Sequence, residues 1–145
     1  MQNPIVAPPL PYPHRYIVDP VAFFIALIGG PILFTATSFW LLFIPVFALA
    51  FGGPVYLVIG LPVLLWYLRH HDAEPSDLAF LAFIVISFFM LLVVLVAVAT
   101  DDEDLFGMGL WYTGFGMIFG PAWAYFFGFI YRKLRRDFYA KPRKF

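Results

Sequence analysis

Three long apolar blocks, residues 21–68, 78–99 and 105–131, alternate with short polar stretches, and no Asp, Glu, Lys, Arg or His interrupts any of them. A membrane-crossing helix needs roughly 20 apolar residues to cover about 30 Å of hydrocarbon. The first block holds 48 residues and would run about 72 Å as a single helix, so it must fold back and supply two spans. Its most polar stretch, Thr35-Ala36-Thr37-Ser38, is the expected turn. A turn at Gly52-Gly53-Pro54 would leave the second span too short. The pattern predicts spans at about 20–37, 40–69, 77–100 and 105–131. The expected fold is an all-α integral membrane protein, a four-helix transmembrane bundle with kinked helices containing Gly and Pro. A Pro-rich cytoplasmic arm (1–19) precedes the bundle and a basic cytoplasmic tail (132–145) follows it.

Local signals sharpen the helix ends. Asp19-Pro20 reads as an N-cap followed by proline at the first helical position, and Ser76-Asp77 reads as the cap of the third span. Residues 78–99 contain neither Gly nor Pro. Trp40, Trp66, Tyr67, Trp111, Tyr112 and Tyr131 fall near span ends, where amphipathic rings settle at headgroup level.

Charge then orients the spans. The chain has nine Lys and Arg. Arg15 precedes the first span, Arg69 follows the second, and Arg132, Lys133, Arg135, Arg136, Lys141, Arg143 and Lys144 follow the fourth. With four crossings all nine lie on one side, which the positive-inside rule makes cytoplasmic. The connection between the third and fourth spans is Asp101-Asp102-Glu103-Asp104, with no base. Both termini are therefore expected in the cytoplasm, with a bacterial inner membrane as the expected location and the first span as a retained anchor. Arg132, Lys133, Arg135 and Arg136 are the expected lipid headgroup contacts, since each basic residue near an anionic leaflet contributes about 1 kcal/mol. The adjoining span accounts for this basic run, so nucleic acid is not an expected partner.

Composition agrees with the pattern. The chain is 63% hydrophobic and 12% charged, with a mean hydropathy of +0.88, far from the roughly 25% charged residues of soluble domains. Absence of cysteine removes disulfides, thiolate ligands and cysteine nucleophiles.

Two patterns bear on packing. Gly116, Gly120, Ala124 and Gly128 recur every four residues and so lie along one helical stripe. Ala22, Ala26 and Gly30 form a similar stripe on the first span. Small residues let helix backbones approach closely, a main source of association where lipid is as apolar as the helix. These two helices are expected to pack on each other or on partner helices. In addition, Gly29-Gly30-Pro31 and Gly52-Gly53-Pro54 repeat at an offset of 23 and are the expected helix breaks, with Phe119-Gly120-Pro121 as a weaker echo. Such breaks occur in transporters with inverted repeats, and they are equally ordinary in membrane helices.

Candidate chemistry is sparse. A charge within a span is expensive and kept for use; its absence argues against a proton-coupled antiporter or a voltage sensor. His70 and His71 are adjacent, so on a helix they point about 100° apart and chelate poorly. The acidic quartet lacks the spacing and central glycine of an EF-hand. A cation site or pore mouth there competes with a solvated turn. No catalytic, cofactor-binding or metal-ligating residue is expected. The expected function is a small polytopic membrane protein without catalytic machinery, an accessory, assembly or interaction subunit partnered by the lipid bilayer and other transmembrane helices. The alternative is a small oligomeric transporter or channel that uses the Gly-Gly-Pro breaks and intramembrane hydroxyls.

Overall fold

The computed structural model describes residues 17–38 and 44–135. Most of the Pro-rich arm, Trp40, and the tail from Arg136 onward lie outside the described residues. Among the described residues, four helices are long and apolar enough to cross a membrane: α1 (Pro20–Thr37), α2 (Ile44–His70), α3 (Pro75–Thr100) and α4 (Glu103–Leu134). No strand occurs among the described residues. Short connections make successive helices antiparallel. One end of the molecule therefore carries the start of α1, the α2–α3 loop and the end of α4. The opposite end carries residues 101–104.

α1 begins where the sequence places its cap. The Asp19 carboxylate accepts from the Val21 and Ala22 amides at 3.0 and 3.3 Å, satisfying donors that have no partner within the helix. α3 departs from the expected Ser76-Asp77 cap. It starts at Pro75, with Glu74 in the cap position and no side-chain cap bond. Proline suits a first helical position because its missing N–H would be unpaired there in any case. The α3–α4 connection is tight. Asp101 closes α3 in the left-handed conformation (φ 53°), one that Asp tolerates better than most residues. Asp102 caps α4 by accepting from the Leu105 amide at 2.9 Å.

Proline leaves different marks on α1 and α2. α1 continues as α-helix through Gly29, Gly30 and Pro31. α2 continues through Gly52, Gly53 and Pro54, which excludes a chain turn there, and its ladder widens just afterward into a π turn, Tyr56–Gly60. Pro54 and Pro62 flank that turn. Each lacks the N–H that would bond the carbonyl four residues back, and between them the chain winds one residue wider.

α4 is the packing centre. Phe23 of α1 meets Phe127 of α4 edge-on with ring centroids 5.4 Å apart, and Phe34 meets Phe119 and Phe126 at 5.8 and 5.7 Å. Ala22, Phe23, Ala26 and Leu27 are buried against Ala124, Phe127 and Tyr131. Beyond Phe127, Tyr131 reaches the base of α1, where its hydroxyl accepts from the Asp19 amide at 3.2 Å. The far side of α4 receives α3.

Candidate functional site: a slot between α2, α3 and α4

The small residues expected to form a packing face divide between two neighbours. On α1, Gly30 sits directly on α4. A Cβ there would lie 2.9 Å from the Phe127 amide nitrogen and 3.1 Å from the Trp123 carbonyl oxygen. Ala22 and Ala26 are buried on the same side. On α4, however, Gly116, Gly120 and Gly128 face α3. Gly116 and Gly120 lie against Ile86, and Gly128 lies against Leu78 and the Pro75 backbone. Ala124 is buried in the common core. The two stripes thus share the common core only through Ala124. Gly30 of α1 rests on the α4 backbone, and the glycines of α4 receive the branched side chains of α3. The backbones approach through small residues on one partner and knobs on the other.

The other expected residues are placed as follows. Gly29 adjoins Ile130, Gly52 adjoins the Trp123 ring, and Gly53 has open space beside it. Arg132 and Lys133 are exposed, with the Lys133 ammonium over the Phe129 ring at 4.5 Å. Arg135 donates to the Asp72 carboxylate, tying the tail to the α2–α3 loop. This hydrogen bond, helped by the Ala73 amide and the Arg135 and Arg132 charges, outweighs partial burial and holds Asp72 below the usual carboxylate range. Arg136 lies outside the described residues.

The histidines do not converge. His70 Nδ1 donates to the Trp66 carbonyl at 2.8 Å, while His71 stacks on Tyr67 with centroids 4.5 Å apart. Among the described residues no group of three His, Asp or Glu side chains is arranged to hold a metal. The acidic quartet is exposed. Two of its residues cap helices, and Glu103 and Asp104 occupy the first turn of α4, where the helix dipole favours negative charge.

A concavity lies between α2, α3 and α4. It is a cavity of about 590 Å³, within the roughly 300–1,000 Å³ typical of small-molecule sites. Its wall runs along α2 from Phe47 to Leu64, along α3 from Leu78 to Val93 and along α4 from Trp111 to Ala124. It exists because α2 covers little of the bundle; Pro45, Leu64 and Leu68 are its only buried residues among those described. Two glycines shape the wall: Gly52 admits the Trp123 ring, and Gly60 admits the Tyr56 ring. Tyr56 and Trp123 meet edge-on at 5.5 Å. The Tyr56 hydroxyl and Trp123 Nε1 are buried, and each lacks a hydrogen-bond partner among the described residues. Sequence reading alone misses this pair. Its one signal is the spacing of Pro54 and Pro62 around an isolated tyrosine in an apolar run.

The chain matches no protein-family model, no curated protein and no solved structure.

Proposed function

We propose that this chain is a small four-span membrane protein without catalytic machinery, an accessory or assembly subunit that works by packing against other transmembrane helices. One observation carries the reading: four of the Ser and Thr hydroxyls are spent on their own helices, and Thr35 is spent on the Pro45 carbonyl of α2. Thr37 donates to the Leu33 carbonyl, Ser87 to Phe83, Thr100 to Val96 and Thr113 to Gly109, at 2.5–2.9 Å. Such back-bonded hydroxyls offer neither a polar pathway nor a paired nucleophile and base. Meanwhile α2 and α3 carry rows of large apolar side chains that the chain leaves uncovered, including Phe47, Phe51, Phe80, Phe83, Phe88 and Leu91. In a bilayer those rows face lipid or the helices of a partner.

The membrane reading rests on helix length and composition, and the orientation rests on the distribution of Lys and Arg. On this reading both termini are cytoplasmic and the membrane is a bacterial inner membrane. The natural absence of cysteine makes this directly testable. Glu74→Cys is expected to be shielded from a membrane-impermeant maleimide in intact cells, and Asp102→Cys to be labelled. The reverse pattern overturns the orientation.

The subunit reading is tested by gentle-detergent purification of the tagged chain from its native membrane, with mass spectrometry of what accompanies it. Stoichiometric membrane partners are expected; a particle of this chain alone refutes the reading. The π turn favours one competitor, a small transporter or channel, since single π turns often sit at functional sites. That reading requires flux in proteoliposomes that falls when Pro54 is replaced.

A further inference from the structure

We propose that the slot between α2, α3 and α4 binds one chain-like neutral lipid whose carbonyl oxygen accepts hydrogen bonds from the Tyr56 hydroxyl and Trp123 Nε1.

The slot is long and apolar-walled. Its α2 wall from Phe47 to Leu64 is about 25 Å long at 1.5 Å per residue, and the cavity beside it measures about 590 Å³, room for an extended hydrocarbon chain. Phe47, Phe51 and Trp111 at its rim are exposed, so entry is sideways, from the surrounding lipid.

Chemistry then selects among lipids. Indole Nε1 only donates, and the phenol hydroxyl is free to donate. Two buried donors on neighbouring rings are matched by an acceptor with two lone pairs, which a carbonyl oxygen has. An unpartnered donor surrounded by apolar groups is unfavourable, so an acceptor that relieves both is held more firmly than plain hydrocarbon. Depth narrows the choice further. Tyr56 lies 14 residues from His70 and 12 from Ile44, near the middle of α2 and about 18–21 Å from either end. The ester carbonyls of a phospholipid lie near the headgroups and do not reach that level, whereas the carbonyl of a neutral lipid dissolved in the hydrocarbon does. Both donors are covered, so the wall must give before they are reached. The π turn carrying Tyr56 has no buried residue, so it belongs to the part of α2 that can shift.

The test uses the full chain in phosphatidylcholine nanodiscs doped with equal amounts of decylubiquinone, a chain-bearing carbonyl lipid, and squalane, a carbonyl-free chain. Native mass spectrometry counts what each protein retains. About one decylubiquinone per chain is expected, in roughly tenfold preference over squalane. Tyr56→Phe combined with Trp123→Phe keeps the ring at 56 and most of the apolar bulk at 123. It is expected to reduce the preference below about threefold while elution and helical circular dichroism stay unchanged. If that variant unfolds, Tyr56→Phe alone is expected to lower the preference about threefold. Equal retention of the two probes, retention of neither, or a preference that survives loss of the donors overturns the proposal.

Discussion

The interface of α1 with α4 and the interface of α2 with the rest of the bundle are built from similar residues and come out differently. A third of α1 is buried inside the molecule (33%), against 6% of an 18-residue apolar stretch of α2. Both helices carry Gly-Gly-Pro. In α1 the second glycine of that motif rests on the α4 backbone, and the following helix stays regular. In α2 a Cβ at the corresponding Gly53 would meet nothing within 4 Å, and the ladder widens three residues later. The same motif therefore serves close packing where a neighbouring backbone arrives, and leaves slack where none does. The slack is what opens the slot beside Tyr56 and Trp123.

The sharpest way to break this contrast is Gly30→Leu. Its Cβ would collide with main-chain atoms of α4, which cannot rotate away. Destabilisation of about 3 kcal/mol or more is expected, read as loss of the monodisperse species and of the thermal transition in detergent. Gly53→Leu is expected to leave both nearly unchanged; equal effects at 30 and 53 would dissolve the distinction between the two sides. Gly120→Ala sharpens the comparison within α4. It meets the end of the Ile86 side chain, which can move, whereas Gly128→Ala meets the Pro75 backbone. Gly128→Ala is expected to cost about 1–3 kcal/mol and Gly120→Ala distinctly less, measured by the same thermal shift.

A smaller effect is expected at the base of α1. Tyr131→Phe leaves the buried Asp19 amide without its acceptor, at a cost of about 1 kcal/mol. The stacking of ring 131 on Phe127, with centroids 5.8 Å apart, is retained. Faster amide exchange at the start of α1, with α2 unaffected, is the readout.

The smallest effect concerns the Asp72–Arg135 pair. Asp72 is depressed in the folded protein, so its contribution is present above its unfolded value near 4 and disappears as pH falls through the lower folded value. Asp72 is half exposed although the Arg135 side chain is mostly covered, and no more than about 1 kcal/mol is expected. Stability should be flat from pH 8 to 5 apart from other groups. Below roughly pH 4 it should decline, and Asp72→Asn should remove that part of the decline.

Several of these features are legible in the residue pattern. Four apolar helices follow from run lengths, and the cap at Asp19 follows from an acid preceding a proline. The cap expected at Ser76 does not form, because Pro75 begins α3 without a side-chain bond. The slot is not legible. Tyr56 registers only as one hydroxyl among several and Trp123 not at all, because neither has a polar neighbour in sequence to mark it. The small-residue stripes are legible as stripes, but their partners are not.

The sequence by itself determined how many helices are long and apolar enough to cross a membrane, and their alternating direction. The reason is that helical rise and hydrocarbon thickness are fixed lengths, and the connections are short. Only the tertiary structure decided which face of each helix meets which neighbour. A soluble helix announces its buried face by being apolar on one side. These helices are apolar all round, and in lipid the inside and the outside are equally good surroundings for a side chain. Shape therefore chooses the contacts: a glycine under a ring, a glycine under an isoleucine, and, beside α2, a gap that no side chain among the described residues fills.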